Sequence, residues 1–270
     1  MITTFEQVLG DLQDEHAALE RVLNALPVGA WDVPTHAPGW SVRDQISHLA
    51  FFDEAATLAI HRPLEFMNDV KASHERGSDP ELRYLDHGRS LSPHGVLDWW
   101  RNASANLVAT ARTTDPNARL PWYGPPMSGI SFLSARLMET WSHGLDIVDV
   151  THVGRPDTDR LRHVAFLGVR ARPFSYTNRG LRPNDAPIRV ELVAPSGALW
   201  VMGEESGTDR VSGTATDFCR VVTQRRNLAD TGLRVEGAAA REWMEIAQAF
   251  AGPPGAGRKP GEFSPEQALA

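Results

Sequence analysis

Cysteine is almost absent from this chain: Cys219 is the single one among 270 residues. One thiol excludes an intrachain disulfide framework and any zinc motif built from several cysteines. We interpret Cys219 as a small buried hydrophobe, because it lies beside Phe218 and near Val222 in a segment with amphipathic helical spacing. The chain therefore has no evident nucleophile of its own.

Positive charge and long apolar stretches are also scarce. The net charge is -7, which argues against nucleic acid as a partner, since nucleic-acid binding needs a basic surface. No apolar run reaches the roughly 20 residues of a membrane-spanning helix, so we expect no membrane partner. The first residues lack the basic start of a signal peptide, and we expect a cytoplasmic protein. No pattern in the sequence indicates the oligomeric state.

The first half of the chain has the periodicity of helices. Apolar residues recur at helical spacing in four segments: 5–26, 42–60, 92–113 and 128–151. Ser41 is a candidate N-cap, and Pro93 is suited to a first helical position. The polar stretch 71–89 is interpreted as mostly a long connection with one short helix at most. Four long helices joined in this way predict a four-helix bundle over residues 1–154.

The second half of the chain changes pattern after Gly154. A helix over 157–170 precedes the alternating segment Ile188–Val193, which the turn Pro195-Ser-Gly separates from a second apolar segment at 198–202. This arrangement predicts a hairpin. An amphipathic segment at 216–223, a strand at 233–237 and a helix at 238–250 complete a small α+β domain over 155–251. The Pro/Gly-rich residues 252–270 are expected to be disordered.

Glu139 and His143 lie four residues apart, so they project from one face of the fourth helix. They fall in an otherwise apolar stripe, where an acid and an imidazole must be paired or metal-bound because burying them alone is costly. His48, on the second helix, could complete a three-ligand metal site with an open coordination position. The alternatives are an ordinary helix-surface pair and a histidine that bonds to a backbone carbonyl.

Two segments resemble the DinB superfamily, in the branch of mycothiol-dependent maleylpyruvate isomerases and mycothiol S-transferases. Pro38-Gly-Trp-Ser-Val-Arg-Asp-Gln-Ile-Ser-His-Leu-Ala is similar to the family's Trp-(Ser/Thr)-x-x-(Asp/Glu)-x-x-x-His-Leu helix, and Glu139-Thr-Trp-Ser-His-Gly-Leu-Asp to its Glu-x-x-x-His helix. The resemblance implies a DinB-like bundle in which His48, Glu139 and His143 bind a divalent metal, usually zinc. The second half resembles the C-terminal domain of the same isomerases.

The resemblance also implies a function. A metal-activated low-molecular-weight thiol such as mycothiol would serve as cosubstrate for isomerisation of, or S-transfer to, a small electrophile. A functional arginine is also implied in the second domain, where Arg225 and Arg226 lie at about the matching place and Arg226 is the closer match. The sequence departs from the family's usual Gly-Arg there, because Gln224-Arg225 precedes Arg226. A solvated pair of helix-end arginines is the simpler interpretation. A metal enzyme that needs no thiol, and a non-enzymatic metal-stabilised module that binds a ligand, remain alternatives.

Other side chains could support the metal ligands or line a pocket. Asp44 lies one turn before His48 and could accept its second ring N–H, or it could simply favour the start of its helix. Arg136 could pair with Glu139, and Asp146 could do for the ligands of the fourth helix what Asp44 could do for His48. Three residues of a Pro/Gly-rich loop could line the mouth of a pocket or pack in the core: Trp122, Tyr123 and Met127.

Overall fold

The computed structural model describes residues 3–75 and 80–263. The chain forms two compact units, Met1–Arg155 and Pro156–Ala270, and the sequence analysis placed its boundary after residue 154. Unit 1 is helical, and unit 2 combines helices with a four-stranded sheet, so the expected α+β class is confirmed. None of the described helices is long and apolar enough to cross a lipid bilayer.

Unit 1 contains four long helices and two shorter ones among its described residues. They are α1 (Phe5–Asn24), α2 (Val42–His61), α3 (Pro63–Glu75), α4 (Pro80–Ser90), α5 (Pro93–Ala111) and α6 (Gly129–Thr151). A 3-10 turn (Val28–Asp32) precedes α2, and two short paired strands, β1 (Arg119–Leu120) and β2 (Met127–Ser128), precede α6.

The helix starts follow from local hydrogen bonds. Ser41 caps α2: its hydroxyl accepts from the Asp44 amide, while the Asp44 carboxylate accepts from the Ser41 amide. Ser92 caps α5, and Pro93 occupies its first turn. Both predicted helix starts are therefore confirmed.

The core of unit 1 lies where the long helices meet. Helix α2 packs against α5 and α6, and α1 packs against α6 and α5. The buried cluster includes side chains from α1, α2, α5 and α6, among them Leu19, Ile46, Leu49, Trp100 and Ile147. Helix α6 is buried around most of its circumference, as expected for a helix with apolar residues on two sides.

The interpretation of 71–89 as mostly a connection is wrong. Helices α3 and α4 occupy most of the described part of this stretch. Tyr84, Leu85 and Gly88 of α4 are buried, and α4 packs against α2. Packing against α2 rather than a strong apolar pattern stabilises this short helix, since helices of this length are marginal by themselves.

Unit 2 is built on a sheet of strand order β4-β3-β5-β6. Its elements are α7 (Leu161–Arg170), α8 (Arg172–Thr177), β3 (Ile188–Val193), β4 (Leu199–Gly203), β5 (Asp209–Thr214), α9 (Ala215–Val222), a 3-10 turn (Leu228–Asp230), β6 (Arg234–Glu236) and α10 (Ala238–Ile246). The antiparallel β3–β4 pairing confirms the predicted hairpin, and β3 also pairs in parallel with β5. Alternate residues of β3 are buried, as its period-two pattern indicates.

Residues 252–263, for which the sequence analysis expects disorder, make contacts within unit 2. The Gly252 carbonyl accepts a hydrogen bond from Asn178, the Arg258 carbonyl accepts one from Asn227, and the Gly261 amide donates to Asp230. The remainder of the expected disordered tail, 264–270, lies outside the described residues.

Candidate metal centre

Three side chains from two long helices form the candidate centre. His48 lies in the second turn of α2, and Glu139 and His143 lie one turn apart on α6. The structure brings all three together: one ligand atom from each lies within 4.8 Å of the other two. Because α2 packs against α6, residues that are 91 positions apart in sequence meet here.

The carboxylate of Glu139 lies between the two imidazoles. Its Oε2 atom is 3.4 Å from Nε2 of His48 and 3.1 Å from Nε2 of His143. The two imidazole ring centroids are 4.2 Å apart. The side chains are 21%, 15% and 9% exposed for Glu139, His48 and His143, so the site is shielded but reachable.

This donor set fits a zinc ion or a similar divalent metal. Zinc binds histidine nitrogen and carboxylate oxygen at about 2.0–2.2 Å in a tetrahedron, which puts neighbouring donors about 3.3 Å apart. The two separations between histidine nitrogen and the Glu139 oxygen, 3.1 and 3.4 Å, are close to that spacing, and all three ligand atoms lie within 4.8 Å of one another. Three protein ligands leave one position open, which is typical of catalytic rather than structural zinc sites.

The protonation of the cluster also suits a cation. Burial, followed by repulsion from His143, lowers the pKa of His48 to about 3. Burial acts to raise the pKa of Glu139, but hydrogen bonds from His143 and His48 hold it well below its ordinary value. At neutral pH His48 is therefore a neutral donor and Glu139 a carboxylate, the forms in which these groups bind metal.

Each imidazole is oriented through its other ring nitrogen. Nδ1 of His143 contacts Oε1 of Gln45, and Nδ1 of His48 lies 3.2 Å from the Tyr84 hydroxyl. Gln45 is itself fixed, because its Nε2 donates to Thr35 Oγ1 at 2.8 Å. These contacts at Nδ1 leave the Nε2 atoms of both rings facing Glu139, where a metal could replace the hydrogen bonds to the carboxylate.

Neither of these orienting residues was predicted from the sequence. Gln45 is a fully buried polar residue three positions before His48, and its place on the face of α2 that carries His48 is a signal that the sequence does contain. Tyr84 lies on α4, in the stretch interpreted as mostly a connection, so its approach to His48 had no local signal.

Two expected supporting roles are not what the structure shows. Asp44 caps its own helix and pairs with Arg89 at 2.9 Å, so the alternative role at the start of α2 is the correct one. Arg136 bonds to Asp53 rather than to Glu139, with its Nε and one terminal nitrogen 3.0 and 2.9 Å from Oδ1. Both partners of that pair are buried.

Asp146 lies close to the site, as expected, though farther from it than Gln45. Its Oδ2 is 4.0 Å from Nδ1 of His143. Asp146 is buried, so its carboxylate contributes negative charge near the imidazole rather than the direct hydrogen bond that Gln45 makes.

Aromatic rings surround the triad. Trp40 stacks on His143 with ring centroids 5.9 Å apart and planes inclined by 17°, and Phe52 packs on His48 at 4.5 Å. Beyond Phe52 lie two residues of the Pro/Gly-rich loop, Trp122 and Tyr123. Trp122 stacks on Phe66, whereas Tyr123 is 40% exposed, so the loop contributes both to packing and to the surface.

Met127 and the candidate residues of unit 2 have separate environments. Met127 is half-buried and pairs with Leu120 between β1 and β2. Arg226 follows α9, and its guanidinium lies 3.9 Å from the ring centroid of Phe263. Cys219 is fully buried in α9, and burial raises the pKa of its thiol well above the ordinary value, which agrees with its interpretation as an inert hydrophobe.

The comparisons with known proteins agree on one family. Residues 12–148 match the family model described as the mycothiol maleylpyruvate isomerase N-terminal domain. Uncharacterised proteins from two strains of Mycobacterium tuberculosis are each 41% identical over 253 residues, covering 93% of this chain and 97% of the relative.

Solved structures extend the likeness to the fold. A crystal structure of a mycothiol-dependent maleylpyruvate isomerase aligns with a TM-score of 0.56 and 18% identity, covering 87% of this chain and 96% of that chain. A structure of a histidine-to-alanine mutant of such an isomerase aligns with the same TM-score and identity, covering 83% and 93% of the two chains. The alignments therefore show a shared, DinB-like fold over most of both chains.

Proposed function

This chain belongs to the family of the mycothiol maleylpyruvate isomerase N-terminal domain, and on that premise we propose that it is a divalent-metal-dependent enzyme. It uses a low-molecular-weight thiol such as mycothiol either to isomerise a small electrophilic substrate or to join the thiol to that substrate through sulfur (S-transfer). The observation that carries the proposal is the meeting of His48, Glu139 and His143 at metal-ligand spacing. The resemblance of the chain to the mycothiol-dependent family supports the use of a thiol as cosubstrate.

The protein residues would hold the metal and leave one side of it open. Glu139 supplies one negative charge and the imidazoles of His48 and His143 supply none, so a divalent ion would keep one positive charge. A zinc ion in this place would lower the pKa of a coordinated thiol and favour the thiolate at neutral pH. Gln45 and Tyr84 keep the imidazoles in place, and the rings of Trp40 and Phe52 restrict water around them.

The thiol must come from outside the chain. Cys219 is fully buried in unit 2, and the rise in its pKa keeps it protonated. In isomerisation, the sulfur of the external thiol bonds to one carbon of an activated double bond, the remaining single bond rotates, and the carbon–sulfur bond then breaks. In S-transfer, the carbon–sulfur bond persists while a leaving group departs with its electron pair and the thiol proton is released.

An anionic substrate would also need a cation, which the resemblance assigns to Arg226. Gln224 adopts a left-handed conformation with φ of 60°, a conformation that glycine adopts most readily. That backbone matches the family's Gly-Arg if Gln224 corresponds to the glycine, and Arg225 then corresponds to the arginine. Both arginines are half-buried. The resemblance favours Arg226 and the backbone at Gln224 favours Arg225, and we propose Arg226 as the anchor with Arg225 as the alternative.

The metal site is tested by the metal content of the purified protein. We expect about one zinc or other divalent ion per chain in the wild type, and loss of it in His48→Ala and His143→Ala, since two remaining ligands bind zinc weakly. His94→Ala is a matched control, because His94 is 78% exposed and pairs with Asp98 on the surface. Wild-type protein without metal, or unchanged metal content in both ligand variants, would show that the proposal is wrong.

The thiol requirement is tested separately. Thermal denaturation of the zinc-loaded protein with mycothiol, with glutathione and without thiol should show stabilisation by mycothiol, because a ligand that binds only the folded state raises its stability. Zinc without any thiol effect would favour a metal enzyme that needs no thiol. Metal binding without turnover of any electrophile would favour the non-enzymatic module.

A further inference from the structure

An open cleft of about 600 Å³ lies beside the metal centre in unit 1. Its walls come from the loop before α2, from the first turn of α2 and from the end of α4. The residues that matter most are Trp40, Asp32, Arg43, Asp44 and Arg89, and we refer to this feature as the Trp40 cleft. Its volume falls within the range of pockets that bind small molecules, roughly 300–1,000 Å³.

The Trp40 cleft adjoins the candidate metal ligands through one side chain. The indole of Trp40 lines the cleft and also lies 5.4 Å from the His48 ring and 5.9 Å from the His143 ring, measured between centroids. The indole of Trp40 is therefore shared between the cleft and the surroundings of the two imidazoles.

The charges of the Trp40 cleft balance. Arg43 pairs with Asp32 at 2.8 Å, and Arg89 pairs with Asp44 through two contacts of 2.9 and 3.0 Å. The side chains of Asp32 and Arg89 are 70% and 49% exposed, so one acceptor and one donor group face the solvent in the cleft. The cleft thus offers strong hydrogen-bonding groups and an aromatic surface, with no excess of either sign.

These properties select a particular chemistry. A free carboxylate or phosphate would need an excess cation, which the paired arginines do not provide. Vicinal hydroxyl groups can donate to a carboxylate and accept from a guanidinium, and the apolar face of a sugar or cyclitol ring can pack on an indole. The cleft therefore suits an uncharged, hydroxyl-rich ring.

We propose that the Trp40 cleft binds the sugar–cyclitol end of the thiol cosubstrate and so directs its sulfur to the His48–Glu139–His143 centre. Mycothiol carries such an end, a glucosamine linked to inositol, whereas glutathione carries two carboxylates and an ammonium group. The cleft thereby selects the hydroxyl-rich thiol over the anionic one. This inference rests on the proposed function, because it assigns a binding site to the same cosubstrate.

The test uses a probe that has no sulfur, N-acetylglucosaminyl-inositol, and measures its binding to the full chain by titration calorimetry. We expect the wild type to bind the probe. Asp32→Asn and Arg89→Gln should each raise the dissociation constant of the probe by about ten-fold, which is the effect of losing one hydrogen bond to a charged group. The matched controls are Asp98→Asn and Arg62→Gln, which remove exposed ion-paired groups outside the cleft. The controls should change the constant by less than about two-fold.

Failure of this inference is distinguishable from failure of the proposed function. The probe cannot bind a metal through sulfur, so its binding should persist after zinc is removed with a chelator. Absence of probe binding to the wild type, or unchanged binding in both cleft variants, would overturn the assignment even if zinc and mycothiol bind. Wild type that binds the probe but cannot be loaded with zinc or another divalent ion would support the cleft while contradicting the metal enzyme.

Discussion

Gln45 offers a direct test of how the imidazole of His143 is held. Its Oε1 contacts Nδ1 of His143, and its Nε2 donates to Thr35. The side chain is fully buried, so water cannot replace it. Gln45→Leu removes the acceptor and the donor while keeping a side chain of similar volume, which isolates the effect of the hydrogen bonds.

The expected magnitude follows from what His143 loses. Removal of a partner that orients a metal-binding histidine costs 10–100-fold in metal affinity, or about 1.4–2.7 kcal/mol. The carboxylate of Asp146, 4.0 Å from Nδ1, can move closer and accept the proton, so we expect a loss near the lower limit. The metal-free protein should lose about 1–3 kcal/mol of unfolding free energy, because a buried N–H loses its acceptor.

Zinc affinity is measured by competition with a chromophoric chelator at fixed pH. The free energy of unfolding of the metal-free protein is measured by urea titration. Ser47→Ala is the matched control: Ser47 is also fully buried on α2, but its hydroxyl donates within the helix to the Arg43 carbonyl. Gln45→Glu keeps an acceptor for His143 and should retain most of the zinc affinity. If Gln45→Leu binds zinc as tightly as Ser47→Ala does, Gln45 does not orient the ligand and the reasoning is wrong.

Two other buried groups give simple expectations. Asp53→Asn should lower the free energy of unfolding by about 3–5 kcal/mol, because it leaves the buried guanidinium of Arg136 without its counter-charge; urea titration beside the exposed variant Asp98→Asn checks this, and equal small losses would contradict it. Cys219 should resist iodoacetamide at pH 8 in the folded protein and react fully in urea, since burial raises its pKa and keeps the thiol protonated. Rapid labelling of the folded chain, followed by mass spectrometry, would show that α9 opens readily.

The sequence predicted the long helices and the hairpin because each buries one face with a regular period. The i, i+4 spacing also placed Glu139 and His143 on one face of α6, where the structure has them. The stretch 71–89, which contains most of α4, was interpreted as mostly a connection because its buried residues are few and its other positions are polar. Tyr84, which contacts His48, was missed for the same reason, since tertiary packing rather than local pattern decides whether such a segment is helical.

The partner of Arg136 shows a second limit of reasoning from local spacing. Glu139 is three residues away on the same helix and would ordinarily be the nearest acid. In the fold, the carboxylate of Glu139 is already in contact with two imidazoles. The carboxylate of Asp53 is fully buried, and burying it without a cation would be costly. A buried arginine therefore pairs with the carboxylate that has the fewest other partners. The neighbouring helix decides which carboxylate that is.

The two polar clusters between α2 and α6 have complementary effects. The Asp53–Arg136 pair is neutral as a whole and joins the helices whether or not a metal is present. The His48–Glu139–His143 cluster holds the carboxylate of Glu139, whose pKa is lowered, despite burial, by hydrogen bonds from the two imidazoles, so a cation is a suitable partner for it. Metal binding should then stabilise the same helix contact that the ion pair already holds, because a ligand bound only by the folded state adds to its stability. The ion pair joins the two helices without any metal, and this contact helps to hold His48, Glu139 and His143 close together.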